Sequence, residues 1–240
     1  MKISFNPYQP QFKSSSSFYT TETGKEIGTF TWFFRNDLPW ESFTKYQLEH
    51  FKNKENVNII QFGASDGTEA YTYIISLIEH SPEEAEKFFP IKSYDIKDTM
   101  VKIAKNGYIH IYPGDEIQMD SKGIGWKKYF KRPEIEPRQY YTTALYSAKP
   151  KLKNRVDFMQ GDMFELLPKI QDNSNTIIMC RNCLGYFPEK IEQFIQTAAQ
   201  VLKKDSLFVI GLLEQDEAFL EDVFRKNNFQ KVMQNVFKKL

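Results

Sequence analysis

The clearest alternation of apolar and polar positions lies at residues 58–78, NIIQFGASDGTEAYTYIISLI. Ile59, Ile60 and Phe62, with Gln61 between them, read as a short buried strand, and Tyr71, Ile74, Ile75 and Ile78 then recur at helical spacing. The two are joined by Gly63-Ala64-Ser65-Asp66-Gly67, small residues over which a ligand reaches the backbone at the strand's carboxyl end. Strand, glycine turn and helix in this order form the first half of a doubly wound nucleotide-binding unit, so a small-molecule site is expected at the loop. Upstream, a helix from Pro39 places Trp40, Phe43, Gln47, Leu48 and Phe51 on one face. Downstream, Ser81-Pro82-Glu83-Glu84 starts a short polar helix. Residues 90–96 read as a second strand ending in Asp95, and a helix over 97–105 stops at Asn106-Gly107.

From residue 108 to 155 the rhythm breaks on Pro113-Gly114, Gly123-Ile124-Gly125, Pro133 and Pro137. The runs 139–147 and 155–159 have β character and flank a loop at 148–154, as in a small antiparallel excursion, so 108–155 is read as an insert. The α/β pattern resumes at 155–159, followed by Gln160-Gly161-Asp162-Met163-Phe164. A strand at 176–180, an amphipathic helix opened by Pro188, a strand at 207–212, a helix at 217–226 and a closing strand or hairpin at 229–240 complete the chain. Residues 1–28, with Pro7, Pro10, serines at 14–17 and scattered aromatics, read as an irregular arm ahead of a domain spanning 29–240.

Composition narrows the partners. The 240 residues fit one α/β domain with an arm and an insert. Lys+Arg 32 against Asp+Glu 31 leaves no electrostatic footprint for nucleic acid. The absence of an apolar run of about 18 residues, and of a signal-peptide core, leads us to expect a cytoplasmic protein without membrane insertion.

The loop chemistry excludes more. It lacks the Lys-Ser/Thr of a P-loop and the G-x-G-x-x-G spacing of a dinucleotide site. Ser65 at the centre of G-x-S-x-G resembles a nucleophile elbow, but no Asp-then-His pair follows it. Cys180-Arg181-Asn182-Cys183 holds the only two cysteines. A redox role is disfavoured because the tetrad follows an apolar strand and opens no evident helix; zinc is disfavoured because no second Cys or His pair completes four ligands. No metal is expected. Asp95, about 30 residues beyond the loop, is placed to accept hydrogen bonds from both ribose hydroxyls of NAD or S-adenosylmethionine (SAM). In Thr29-Phe30-Thr31-Trp32-Phe33-Phe34-Arg35, an aromatic cluster ends in one cation. Either it is core packing beside a solvated Arg, or it aims Arg35 at an anionic ligand group.

Four motifs in order carry a family resemblance: Thr31-Trp32-Phe33-Phe34-Arg35, then Gly63 to Tyr71 (GASDGTEAY), then Asp95 in Tyr94-Asp95-Ile96, then Cys180 to Phe187 (CRNCLGYF). From about residue 29 onward the chain resembles the CheR-type SAM-dependent methyltransferases, which esterify glutamate side chains of bacterial chemotaxis receptors. The resemblance implies an α/β class I methyltransferase fold of Rossmann-like type, with a mostly parallel seven-stranded sheet, helices on both faces and a small β insert. It implies SAM as cofactor, S-adenosylhomocysteine as product, and a protein acceptor. Thr31, Arg35, Gly63, Ser65, Glu69, Asp95, Asp162, Met163, Asn182 and Cys183 would contact the cofactor. Glu69 would meet its ammonium, Asp95 its ribose, and Asp162 and Met163 would border its adenine. Arg35 and Tyr186 would align the acceptor for catalysis. The arm stands where the family usually has a helical domain, and the insert corresponds to its small β-subdomain. A carboxylate acceptor is already ionised at neutral pH, so no strong base is needed. Two other readings remain open: methylation of a small molecule or another protein group, and a SAM-binding scaffold without catalysis.

Overall fold

The computed structural model describes residues 18–20, 26–28, 31–111, 113–131, 144–170, 175–211 and 216–240. The arm before Phe18, Pro133, Pro137, the first part of the run expected at 139–147 and Leu212 lie outside them.

The arm, expected to be irregular, carries a short antiparallel ribbon of β1 (Phe18–Thr20) and β2 (Glu26–Gly28). Helix α1 (Trp40–His50) precedes β3 (Val57–Phe62), which runs through the glycine loop into α2 (Thr68–His80). Then come α3 (Pro82–Ala85), β4 (Ile91–Asp95) and α4 (Asp98–Asn106), which ends where Gly107 turns left-handed at φ 71°. The insert comprises β5 (Tyr108–Ile111), α5 (Pro113–Ser121), β6 (Phe130–Lys131) and β7 (Ala144–Ala148). After it follow α6 (Pro150–Lys153), β8 (Val156–Gln160), α7 (Met163–Leu166), β9 (Asn175–Cys180), α8 (Ile191–Val201), β10 (Leu207–Ile210), α9 (Glu217–Lys226), β11 (Phe229–Met233) and β12 (Val236–Lys239).

Seven strands form one sheet in the order β11-β12-β10-β9-β3-β4-β8. Pairs from β8 through β10 are parallel, and β12 is antiparallel to both β10 and β11. This is the seven-stranded, mostly parallel sheet expected of a class I methyltransferase. The chain winds from β3 toward β4 and β8, then restarts at β9 on the other side of β3. The carboxyl ends of β3 and β9 therefore flank the crevice where the winding reverses, the place at which such sheets bind ligands.

The central strands are mostly apolar because both faces are covered, with Gln61 of β3 as a buried polar exception. Ile59, Ile177, Met179, Leu207 and Val209 join a core with α1, α2 and the insert; Ile60, Phe62, Ile178, Phe208 and Ile210 join a second core under α8 and α9.

The insert differs from its expected pairing. β7 pairs antiparallel with β5 and β6, whereas β8 leaves the excursion and lies parallel to β4 in the main sheet. Its alternating Val156 and Phe158 are the buried residues of an edge strand, and the short helix α6 separates it from β7. Helix α5 was not expected: its Pro-Gly start reads as a turn, and its exposed Ile117 masks the apolar stripe.

Candidate active site

The loop after β3 is shaped for close approach. Gly63 and Gly67 are left-handed at φ 78° and 91°, and a side chain on Gly67 would strike the ring of Phe158 at 2.7 Å. Ser65, itself at φ 50°, points its amide at the end of β4, where Asp95 Oδ2 accepts from Ser65 N at 2.8 Å and Oδ1 from Lys97 N at 2.9 Å. Burial pushes the Asp95 carboxyl above its ordinary value, against the pull of those two amides. A carboxylate has about four acceptor positions, so two amides leave capacity for a diol.

Beside this loop opens a cavity of about 800 Å³ counted with its mouth, within the range of small-molecule sites. It is lined by Thr31 and Arg35 from the segment before α1, by Gly63 and Ser65, and by Asp95. Asp162 and Met163 line it after β8; Asn182, Cys183 and Tyr186 line it after β9. One geometry thus gathers these ten residues from five separated stretches of sequence. Asp162 has a second task, capping α7 by accepting from Phe164 N at 2.8 Å.

Glu69 is placed differently. It does not line the cavity; it lies buried beneath it, where Oε2 accepts from Arg35 Nη2 and from Arg181 Nη1 at 2.8 Å, and Oε1 accepts from Gln61 Nε2 at 3.1 Å. Gln61 is held in turn by the Ser93 hydroxyl, which donates to its Oε1 at 2.7 Å. Arg181 also donates through Nη2 to Asp37 Oδ1, and Asp37 Oδ2 accepts from Asn182 Nδ2 at 2.9 Å. Two guanidiniums and two carboxylates, all buried, therefore balance one another under the cavity floor. Burial works against the Arg35 charge, but the touching Glu69 carboxylate, helped by Asp37, raises its pKa above the ordinary value and fixes it as a cation.

Sequence reasoning named Arg181 only as part of a motif and missed Asp37. A signal existed: Arg181 directly follows the apolar run at 177–180 of a central strand, where it is buried, and a buried cation requires an acid partner. Nothing in the spacing pointed to an acid 144 positions upstream.

Three buried polar atoms of this site, Thr31 Oγ1, Arg35 Nε and Arg181 Nε, have no hydrogen-bond partner among the described residues. All three residues line the cavity. Leaving such donors unsatisfied is costly, so the site fits a ligand carrying an acceptor such as a carboxylate. SAM carries one on its methionyl end and a ribose diol on its nucleoside end, which matches the orphaned donors and Asp95 respectively.

The Arg35 turn is pinned from outside the main sheet. Asp115 Oδ1, on α5, accepts from Phe33 N at 3.1 Å, and Gln118 Nε2 donates to Phe34 O at 2.9 Å. Phe34 sits at φ 48°, a conformation held by these bonds and by its burial. Trp32 at the same turn is 41% exposed, with the Arg35 guanidinium 5.5 Å from its ring.

Among the described residues no helix is long and apolar enough to cross a membrane, and no group of three or more His, Cys, Asp or Glu is placed to hold a metal ion. A family model described as "CheR methyltransferase, SAM binding domain" matches residues 29–233. A Rhizobium etli protein described as "Probable chemotaxis protein methyltransferase" is 24% identical over 200 residues, covering 81% of this chain and 70% of that one. Among solved structures, the magnesium protoporphyrin IX methyltransferase of Synechocystis PCC 6803 with bound SAM aligns at 14% identity and a TM-score of 0.42. That alignment covers 85% of this chain and 76% of the other. The same enzyme with bound SAH aligns at 10% identity and a TM-score of 0.42, covering 83% of each chain.

Proposed function

Because the chain belongs to the CheR methyltransferase family, and is a SAM-dependent methyltransferase of that type, we propose that its acceptor is a glutamate side chain of a protein, which it converts to a methyl ester. The observation that carries this reading is the cavity lining. It contains no histidine, lysine or glutamate among the described residues, and its two carboxylates, Asp95 and Asp162, are engaged by backbone amides. An alcohol, amine or thiol acceptor must lose a proton on transfer and calls for a base; a glutamate carboxylate is already ionised at neutral pH. The "chemotaxis" in the Rhizobium etli relative's description further supports a protein acceptor.

SAM supplies an electrophilic methyl group on a sulfonium sulfur. The chain's residues bind and align. Asp95 and Ser65 receive the nucleoside end, and Met163 and Asp162 border its base. The unsatisfied donors of Thr31, Arg35 and Arg181 receive the methionyl carboxylate. Glu69, which accepts from Arg35, Arg181 and Gln61 beneath the cavity floor, anchors the Arg35 side chain and keeps about one acceptor position for the cofactor's ammonium. Tyr186, half-buried on the cavity wall, meets the acceptor together with Arg35, which lines the same cavity. Catalysis then rests on alignment, for which about 7–11 kcal/mol is attainable in favourable cases.

The test is incubation of the protein with methyl-labelled SAM and a cell extract. Label on protein that is released by mild base supports an ester. Base-stable label, or label confined to small molecules, overturns the glutamate assignment while leaving methyl transfer intact.

A further inference from the structure

The two cysteines of the Cys-x-x-Cys tetrad have no role in the reading above beyond Cys183 lining the cavity. In the structure its two sulfur atoms are 3.1 Å apart. Cys180 closes β9 and is fully buried, whereas Cys183 is half-buried and forms cavity wall. Cys180 Sγ also lies 3.8 Å from Met163 Sδ, so the thioether at the start of α7 packs against the sulfur that ends β9. Cys183 packs closely on the glycine loop, its Cβ only 3.2 Å from where a Cβ on Gly63 would stand.

We propose that Cys180 and Cys183 form a reversible dithiol–disulfide modification site whose oxidant is a small hydroperoxide entering through the cofactor cavity. One sulfur is reachable from the cavity and the other waits behind it, which is the arrangement of an attacked thiol and a resolving thiol. The thiolate of Cys183 attacks a peroxide oxygen; an S–O bond forms, the O–O bond breaks, and the second oxygen departs as hydroxide, which takes up the proton the Cys183 thiol has shed and becomes water. The sulfur of Cys180 then attacks the resulting sulfenic acid. The S–S bond forms, the S–O bond breaks, and the leaving hydroxide takes the Cys180 proton as water. Two thiols and one hydrogen peroxide thus give one disulfide and two waters, with two electrons passing from sulfur to peroxide.

The bond requires the sulfurs to close from 3.1 Å to about 2.05 Å. Cys180 is immobilised in the sheet, so the movement falls on Cys183 and its turn, which carries Asn182 on one side and leads to Tyr186 on the other. Oxidation therefore reshapes the cavity wall against Gly63, and the oxidised protein binds S-adenosylhomocysteine at least about fivefold more weakly, the low end of ordinary site-to-site coupling. By linkage, bound S-adenosylhomocysteine makes the pair harder to oxidise; it also blocks the route to Cys183.

The experiment treats the full chain with hydrogen peroxide, with and without S-adenosylhomocysteine, and reads intact mass, thiol alkylation after unfolding, and ligand affinity. The expected result is loss of two hydrogen masses and of both alkylatable thiols, reversal by dithiothreitol, slower loss with ligand present, and weaker ligand binding by the oxidised form. Cys180→Ser should instead stop at Cys183 sulfenic or sulfinic acid. Retention of both thiols after treatment, accumulation of Cys183 oxyacids in the unaltered chain, or equal ligand affinity before and after oxidation would each overturn the proposal. The mass readout stands apart from the cofactor-site assignment: if the untreated chain fails to bind S-adenosylhomocysteine, that assignment falls, whereas disulfide formation is still decided by mass.

Discussion

The two sides of the cavity are built by different means. On the side proposed for the nucleoside, the glycine loop, Asp95 and Asp162 are joined mostly by hydrogen bonds to backbone amides at strand ends that already lie side by side in the sheet. On the side proposed for the methionyl end, Arg35 and Asp37, Glu69, and Arg181 come from three distant parts of the chain and hold one another by buried ion pairs. The first side is imposed by topology and tolerates change locally. The second is a mutual arrangement in which each member is stable only while the others are present, because a buried charge without its partner is expensive.

That contrast predicts a graded series. The largest effect belongs to Arg181→Ala, which leaves Glu69 and Asp37 buried with one cation between them. Urea unfolding should show a loss of about 3–5 kcal/mol, and a loss under 1 kcal/mol would mean that the network is not the structural keystone described. Asp115→Ala, which leaves the Phe33 amide buried without its acceptor, should cost about 1–3 kcal/mol. If the insert positions Arg35 through this bond, the variant should also weaken S-adenosylhomocysteine binding severalfold, and adding it to Arg35→Ala should weaken binding no further. Additive losses in this double-mutant cycle would show that Asp115 acts elsewhere.

Changes on the nucleoside side should spare stability and strike affinity. Asp95→Asn loses charge-assisted acceptance and should lower ligand affinity on the order of tenfold with a small change in unfolding. Since burial raises the Asp95 pKa, affinity of the unaltered chain should fall on acidification at a pH above the ordinary aspartate range, as the carboxylate is protonated. The stability term has the opposite sign. A carboxyl whose folded pKa is raised binds its proton more tightly when folded, so this group's contribution to stability improves as pH falls. Titrations of Asp95→Asn should lose that pH dependence of affinity; an unchanged profile would assign it to another group. Smallest is Asp162→Ala, where loss of the α7 cap should cost about 1 kcal/mol in thermal unfolding.

The same contrast explains what the sequence discloses. The strand-loop-helix at 57–80, Asp95 at a strand end and helix Glu217–Lys226 are legible because periodicity, glycine and capping signals act within a few residues. Asp37 and the joint role of Glu69 with Arg181 are not, because ion pairing across 144 and 112 positions leaves no local trace. For the same reason β8 reads equally well as a partner of β7 or of β4: alternation fixes which face is buried, not which neighbour it meets. The two cysteines show a third case. Their spacing is visible, but only the turn after β9 brings their sulfurs together.

The central claim is that the Arg35 turn and the Asp95 strand end grip opposite ends of one SAM molecule. Its most direct test is calorimetric titration of S-adenosylhomocysteine into the unaltered chain, Arg35→Ala and Asp95→Asn at neutral pH. The account predicts one saturable site in the unaltered chain, weakened in both variants. Equal affinity in all three proteins would contradict it.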